Sequence, residues 1–202
     1  MDIITNYITT HTLEVAGTML GLLYLWLELK ASIWLWIVGI LMPAIYIIVY
    51  YEAGLYADFG INIYYLLAAF YGLAVWTTGG KKHGGGAESM PIRQTPHKYY
   101  LPLLTVSAIL WAAIYMALIQ LTDSNVPLYD SFTTALSVTG LWMLARKYTE
   151  QWLAWIAVDA VSSGLYIYKE LYSTSILYGI YTIIALYGYK KWMKQCRQTT
   201  KQ

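Results

Sequence analysis

Seven long apolar stretches constrain this chain more than any other feature of its sequence. Windows of about 17 to 20 apolar residues, the length that crosses the hydrocarbon core of a bilayer as an α-helix, predict seven helices. Their limits are 12–29, 33–51, 60–78, 99–121, 130–147, 150–168 and 174–193. Of the 202 residues, 58% are hydrophobic and only 12% are charged. The apolar stretches also follow one another too closely for the core of a soluble domain. The sequence therefore predicts an all-α membrane protein with seven transmembrane helices.

The basic residues are distributed unequally between the two sides that seven spans would create. Of the 13 lysines and arginines, only Lys169 falls on one side, and all the others fall on the opposite side. Cytoplasmic loops carry an excess of Lys and Arg, so the pattern predicts an outer N-terminus and a cytoplasmic C-terminus. The N-terminal stretch MDIITNYITTHTLEV has no Lys or Arg before its apolar run, which argues against a removable signal peptide.

An internal repeat relates the first three predicted helices to the last three. With a shift of 116 positions, 14–76 aligns with 130–192 without a gap, and 15 of the 63 pairs are identical. Three of these pairs are tryptophans: Trp26 with Trp142, Trp36 with Trp152 and Trp76 with Trp192. Each repeat holds three helices, and a single connecting helix returns the chain to its starting side of the membrane. This predicts a 3+1+3 parallel repeat.

The repeat also predicts how the chain is divided. The expected parts are a first three-helix bundle over 12–78, a cytoplasmic loop over 79–98, a connecting helix over 99–121, a second three-helix bundle over 130–193 and a cytoplasmic tail over 194–202. The loop contains GGKKHGGGAES and is flexible by composition. Parallel repeats of this kind hold small solutes near the midplane, where the two repeats meet.

One predicted span, QWLAWIAVDAVSSGLYIY, carries an ionisable carboxyl. Asp159 is the ninth of its 18 residues, which places it near the bilayer centre at a rise of about 1.5 Å per residue. A carboxylate there costs roughly 2.5 to 3.5 kcal/mol on insertion scales, so it should face a partner inside the bundle. No Lys, Arg or His is predicted at this depth. The partner is then a cationic ligand, a proton, or hydroxyl and indole donors of the chain itself.

Helical spacing places Asp159 on a polar and aromatic face. At the equivalent place in the second helix stands Pro43, a candidate hinge. Asn62 in the third helix is another strong polar group within a span, and Trp155 could lay its ring on a positively charged ligand. The predicted substrate-binding residues are Asp159, Trp155, Trp152, Asn62, Tyr178, Trp36, Tyr46, Ser163 and Tyr166.

Simpler interpretations of these residues stay open. Asp159 could be a neutral, hydrogen-bonded structural acid, and Asn62 could join two helices by a hydrogen bond. Pro43 could do no more than kink its helix. A proton-coupled carrier could use Asp159 as a titrating group, whereas a structural subunit would need no substrate at all.

Several classes of function find no support in the sequence. An intramembrane metalloenzyme lacks ligands, because His11, His83 and His97 all lie outside the predicted spans. The glycine and lysine cluster lacks the spacing of a phosphate-binding loop. The single cysteine, Cys196, excludes an internal disulfide. We therefore expect no enzyme activity, no metal, no cofactor and no nucleic-acid partner; the expected partners are the lipid bilayer and a small molecule.

Five stretches make the sequence recognisable: TLEVAGTMLGLLYLWLELK, ASIWLWIVGI, LYADFGINIYYLLAAFYG, DSFTTALSVTGLWMLARKYTEQWLAWIAVDAVS and ALYGYKKW. Over nearly its whole length the sequence resembles the Pnu family of bacterial vitamin transporters. The resemblance implies a SWEET-like arrangement of two three-helix bundles in the bacterial inner membrane. It also implies facilitated diffusion of a vitamin that a cytoplasmic vitamin kinase traps by phosphorylation, and a homotrimer.

The branch of the family determines which vitamin the resemblance implies. The nicotinamide riboside branch has Asn at the position of Asp159, Gln at Asn62, and Asn at Ala69 and Tyr187. Thiamine has a permanently charged thiazolium and no ribose, so an added acid and fewer amides suit it. The stretch IYIIVYYEAGLYADFGINIYY looks like the thiamine branch. The resemblance thus implies thiamine as the substrate, with nicotinamide riboside as the alternative.

Overall fold

Seven long α-helices make up most of the described part of the protein. The computed structural model describes residues 12–52, 56–79, 90–122 and 124–199, and within these it contains no β-strand. We number the helices α1 Thr12–Leu29, α2 Trp34–Glu52, α3 Tyr56–Gly79, α4 Tyr100–Leu121, α5 Pro127–Ala145, α6 Gln151–Tyr168 and α7 Tyr172–Thr199. A short 3-10 helix, His97–Tyr99, precedes α4. The all-α fold and the seven predicted helices are confirmed, whereas the glycine- and lysine-rich stretch 80–89 lies outside the described residues.

The last helix is longer than its apolar part. The hydropathy windows end the seventh span at 193, but α7 continues to Thr199 and takes in most of the predicted tail. Its last turns, KKWMKQCRQT, are rich in lysine, glutamine and arginine, which are good helix formers although they are too polar for a hydrocarbon environment. Hydropathy therefore located the apolar segment and not the end of the helix.

The helices differ in how well they satisfy a hydropathy test for membrane spans. Within the described ranges, Phe59–Gly79 and His97–Leu121 are long and apolar enough by length and composition, and Met19–Leu29 and Trp34–Ile48 are shorter apolar helices. The helices of the second half carry more polar residues; α6 alone includes Gln151, Asp159 and Ser162, all of them buried. The seven-span topology stays a prediction.

The described helices pack into two compact units, which divide within α3, between Leu73 and Ala74. In the first unit α1 packs against α2. In the second unit α6 lies between α5 and α7, and α4 packs against α5. The candidate residues on α6 and α7 therefore belong to one packed body and can be described together.

Equivalent turns follow α1 and α5. Ala31 and Lys147 are 116 positions apart, and both have a left-handed backbone, with φ of 49° and 51°. In each turn this residue's N–H donates to the carbonyl three residues earlier at 2.9 Å, and the next N–H donates to the carbonyl five residues earlier at 2.9 or 3.0 Å. This hydrogen-bond pattern is a Schellman C-cap. The basic residue before each turn, Lys30 or Arg146, lies over a tryptophan ring.

Equivalent tryptophans also fill equivalent gaps between helices. Trp36 of α2 lies against Gly72 of α3, where an added Cβ would overlap the indole. Trp152 of α6 lies against Gly188 of α7 in the same way, with its ring 2.7 Å from the position of such a Cβ. The second pair follows the first by the repeat offset of 116 positions. The two halves therefore share local packing as well as sequence. The 3+1+3 arrangement of the halves stays a prediction.

Part of the linker between α3 and α4 pairs with the turn between α5 and α6. The N–H of Arg93 donates to the carbonyl of Lys147 at 3.1 Å, and the N–H of Thr149 donates to the carbonyl of Arg93 at 3.0 Å. The backbone N–H and the hydroxyl of Thr95 both donate to Oε2 of Glu150, at 2.8 and 2.7 Å. Residues 90–96 are thus tied down, although composition indicates flexibility for the linker as a whole.

The turn after α5 buries a lysine. Lys147 is 1% exposed, and its Nζ lies 4.1 Å from the ring centroid of Trp76. The indole N–H of Trp76 donates to the carbonyl of Ala145, the last residue of α5, at 3.1 Å. Because burial penalises the charged ammonium, the pKa of Lys147 is lowered from 10.5 to about 8.

Candidate functional site

Asp159 occupies the middle of α6 and is enclosed by the second unit. Its side chain is 7% exposed. Among the residues that the structure describes, the carboxylate forms no hydrogen bond and no ion pair. The carboxylate is therefore buried without a counter-charge from the described residues.

Tyrosines of α7 lie beside this carboxylate. Tyr178 and Tyr181 are close enough to Asp159 for an electrostatic interaction with it. The Tyr178 ring also lies between the rings of Tyr166 and Tyr181, with centroid separations of 5.1 and 5.7 Å. The structure thus brings together Asp159, Tyr166 and Tyr178, all predicted site residues, and adds Tyr181, which the sequence analysis missed.

Trp155 lies one turn before Asp159 on α6 and is half-buried. Its ring packs over Gly140 of α5, with Cε2 3.6 Å from the position of an added Cβ. Its indole N–H is enclosed and has no hydrogen-bond partner within the described ranges. At the equivalent position in α2 stands Gly39, and there Tyr24 of α1 fills the space, also with Cε2 at 3.6 Å. In the second half the large residue is on α6 and the glycine is on α5. In the first half the large residue is on α1 and the glycine is on α2, so the two positions are swapped between the repeats.

Trp152 and Trp36 have a packing role in this conformation. Trp152 is completely buried and Trp36 is 1% exposed. Each fills the gap at a glycine of the following helix, and the Trp152 ring meets Trp192 edge-on at 5.7 Å between centroids. Neither ring has an open face in this structure. Their role in binding a substrate stays a prediction.

Ser163 is engaged in a contact between helices. Its hydroxyl donates to the backbone carbonyl of Ser175 at 2.9 Å, and the hydroxyl of Ser175 donates back to the carbonyl of Ser163 at 2.8 Å. This reciprocal pair ties the end of α6 to the start of α7. A direct contact of Ser163 with substrate, as predicted from the sequence, would compete with that pair.

The remaining predicted residues belong to the first unit. Asn62 of α3 is 9% exposed, Tyr46 of α2 is 38% exposed, and Pro43 is buried inside α2. Their approach to Asp159 depends on the arrangement of the two units and stays a prediction. No group of three or more His, Cys, Asp or Glu that could hold a metal ion occurs within the searched, described residues.

The sequence of the chain matches a known transporter family. The family described as nicotinamide mononucleotide transporter matches residues 11–194. The chain belongs to this family. Its seven helices are accordingly those of a membrane transporter, and the predicted membership of the Pnu family is confirmed.

The individual proteins that this chain resembles are distant relatives. The nicotinamide riboside transporter PnuC of Escherichia coli (strain K12) is 23% identical over 92% of this chain and 87% of its own length. The riboflavin/roseoflavin transporter RibM of Streptomyces davaonensis is 24% identical over 93% and 87%. The crystal structure of the vitamin B3 transporter PnuC matches 98% of this chain and 87% of its own, with a TM-score of 0.70 at 22% identity. That likeness shows that the two share a fold.

Proposed function

We propose that this transporter carries a vitamin whose ring bears a permanent positive charge, with nicotinamide riboside as the first candidate. The observation that carries the proposal is Asp159, a buried carboxylate with no ion-pair partner in the described part of the chain. Several relatives support the choice of vitamin, because the family members of Escherichia coli and Haemophilus influenzae are named nicotinamide riboside transporters.

The chemistry of the cluster suits such a ring. The nicotinamide of the riboside is a pyridinium, and its delocalised charge would neutralise the Asp159 carboxylate, which is costly to leave alone at membrane depth. The aromatic side chains of Trp155 and Tyr178 can lay a ring face against a flat cation.

Thiamine is the second candidate, because its thiazolium would satisfy Asp159 equally well. The sequence analysis preferred it over nicotinamide riboside. The relatives described above are named for nicotinamide riboside or riboflavin and give that preference no support. Riboflavin is a neutral ring and leaves the acid without a counter-charge, so we rank it third.

The proposed transport cycle is facilitated diffusion by alternating access. The two three-helix bundles would rock about α4 and bind the vitamin between them, with Pro43 as the hinge of α2. Asn62, Trp36 and Tyr46 would then reach the ligand from the first bundle. Phosphorylation by a cytoplasmic vitamin kinase would trap the vitamin in a bacterial cell, with the C-terminus of the transporter cytoplasmic and three copies forming a trimer.

Calorimetric titration of the purified full chain against nicotinamide riboside, thiamine and riboflavin tests the proposal. Wild-type protein should bind nicotinamide riboside most tightly. Replacing Asp159 by Asn keeps the shape of the side chain and removes its charge. We expect Asp159→Asn to weaken the binding of both cationic vitamins by about tenfold or more, as loss of a hydrogen-bonded charge partner does, and to leave riboflavin binding unchanged.

Asp130→Asn is the matched control, because this acid stands at the start of α5 and already accepts a hydrogen bond from Ser124. It should bind all three vitamins like the wild type. Full affinity of folded Asp159→Asn for nicotinamide riboside and thiamine would refute the proposed role of the acid. Tighter binding of thiamine than of nicotinamide riboside would move the assignment to the second candidate.

A further inference from the structure

The C-terminal end of α7 extends beyond the part of the helix that a bilayer can accommodate. Its 28 residues span about 42 Å at 1.5 Å per residue, whereas the hydrocarbon core is about 30 Å thick. Apolar residues dominate up to Gly188, and the basic stretch starts at Lys190. Tyr189, a residue type enriched where lipid meets water, stands between the two. If α7 spans the bilayer as the sequence predicts, the turns that follow Tyr189 lie at the level of the lipid headgroups.

A shallow recess, largely open to solvent, runs along one face of these turns. It has a volume of about 460 Å³ and is lined by Tyr189, Lys190, Met193, Lys194, Arg197 and Gln198. We call it the basic groove. Three of its residues are cations, at steps of four and three along the helix, so they project from the same face. Met193 and the ring of Tyr189 give it an apolar wall beside the charges.

The cations of the basic groove are not neutralised by the protein. Lys190, Lys194 and Arg197 are exposed, and none of them forms an ion pair with a carboxylate of the described ranges. Glu150, an acid on the loop that precedes α6, is not among the residues that line the groove. The groove therefore presents net positive charge and space to an anion.

We propose that the basic groove binds the headgroup of an anionic phospholipid, with Lys190, Lys194 and Arg197 contacting its phosphate. A lipid headgroup and a free phosphate ion offer the same phosphate group to these cations. A lipid fits better because the groove lies at headgroup level, and because its apolar wall can contact the glycerol and the first carbons of an acyl chain. Basic clusters directly after a membrane helix attract anionic lipids in this way.

Native mass spectrometry of the full chain in detergent, titrated with phosphatidylglycerol or phosphatidylcholine, tests the proposal. Wild-type protein should retain phosphatidylglycerol in preference to phosphatidylcholine. We expect Lys194→Gln to lower retention of phosphatidylglycerol by about fivefold, and Lys194→Gln with Arg197→Gln to lower it further, because each cation near an anionic headgroup contributes a similar increment. These side chains are exposed, so the variants should unfold at the wild-type temperature.

Lys191→Gln is the matched control, since Lys191 is on the same helix with the same charge but does not line the groove. It should retain phosphatidylglycerol like the wild type. An equal loss in Lys191→Gln would mean general charge attraction and would overturn the assigned site. Displacement of the lipid by an equimolar amount of inorganic phosphate would assign the groove to a soluble anion. A change of oligomeric state in the double variant, with lipid retention unchanged, would make the groove a contact between copies of the chain and would also overturn the proposal.

Discussion

The indole of Trp152 lies directly on the backbone of Gly188. A Cβ at residue 188 would come 2.7 Å from the ring, closer than Cβ atoms approach neighbouring atoms in real structures. Trp152 is fully buried, so it has little room to retreat. Small residues at such contacts allow membrane helices to approach closely. The distance between α6 and α7 therefore depends on the missing side chain at position 188.

Gly188→Ala should destabilise the transporter. The added methyl group would push the indole or the helix aside, and overpacking of this kind costs about 1 to 3 kcal/mol. Gly164→Ala is the control, because nothing lies within 4 Å of a Cβ at that helical position. There alanine should be neutral or stabilising by up to about 1 kcal/mol. Thermal unfolding of the purified variants measures both effects. Equal unfolding temperatures of Gly188→Ala and Gly164→Ala would contradict the close contact between Trp152 and Gly188.

The reciprocal hydrogen bonds between Ser163 and Ser175 give a second prediction. Ser163→Ala should lower stability by about 1 kcal/mol, the usual scale of a hydrogen bond between membrane helices. Ser175→Ala should do the same, and the double variant should lose less than the sum, because both changes remove the same pair. The affinity for vitamin should stay at its wild-type value in all three.

Ser137→Ala serves as the control, because the Ser137 hydroxyl bonds within its own helix to the carbonyl of Thr133. It should have little effect on unfolding. If Ser163→Ala weakened vitamin binding at unchanged stability, Ser163 would be a ligand contact, as predicted from its spacing, and the pairing with Ser175 would be incidental.

Periodicity predicted the parts of the site that lie along one helix. Steps of three and four placed Trp155, Asp159 and Tyr166 on a common face, and the structure brings Asp159 and Tyr166 together with Tyr178. The same spacing could not separate a tryptophan that faces a ligand from one that fills the gap at a glycine, as Trp152 does. The signal for the packing role was present, because Gly188 and its repeat equivalent are identical in the internal alignment.

Contacts between distant segments were beyond sequence reasoning. Tyr181 joins the aromatic cluster because α7 packs on α6 at a particular rotation, although its spacing of three residues from Tyr178 marked it as a neighbour. The pairing of Arg93 with the turn at Tyr148 joins segments more than 50 residues apart. Composition indicated a flexible linker, and no local pattern pointed to this bridge.

The buried lysine of the turn after α5 makes stability depend on pH. The folded-state pKa of Lys147 is about 8, against 10.5 for a free lysine. Below pH 8 the amine is charged in both states, so the full cost of burying the charge applies. Between pH 8 and 10.5 the unfolded chain binds more protons than the folded one, and stability rises with pH. The difference between the two pKa values of Lys147 corresponds to a gain in stability of about 3 kcal/mol at most.

Lys147→Met should remove this dependence. The stability of the variant relative to the wild type should fall as the pH rises from 8 to 10.5, because only the wild type gains. Unfolding temperatures measured in steps of half a pH unit report the trend. Lys169→Met replaces an exposed lysine and should stay parallel to the wild type. A constant offset between Lys147→Met and the wild type over this range would show that the buried amine does not titrate there.

The double hydrogen bond from Thr95 to Glu150 predicts how the linker is held. A hydrogen bond to a charged group contributes about 1.5 to 3 kcal/mol, so Glu150→Ala should release residues 90–96 from the loop that precedes α6. Hydrogen exchange of the backbone amides in that segment should become about tenfold faster or more. Thr95→Val removes only the hydroxyl donor and should produce a smaller change, whereas Glu52→Ala, at an exposed acid, should produce none. If exchange over 90–96 stayed at the wild-type rate in Glu150→Ala, the backbone pairing of Arg93 with the turn would be sufficient to hold the segment.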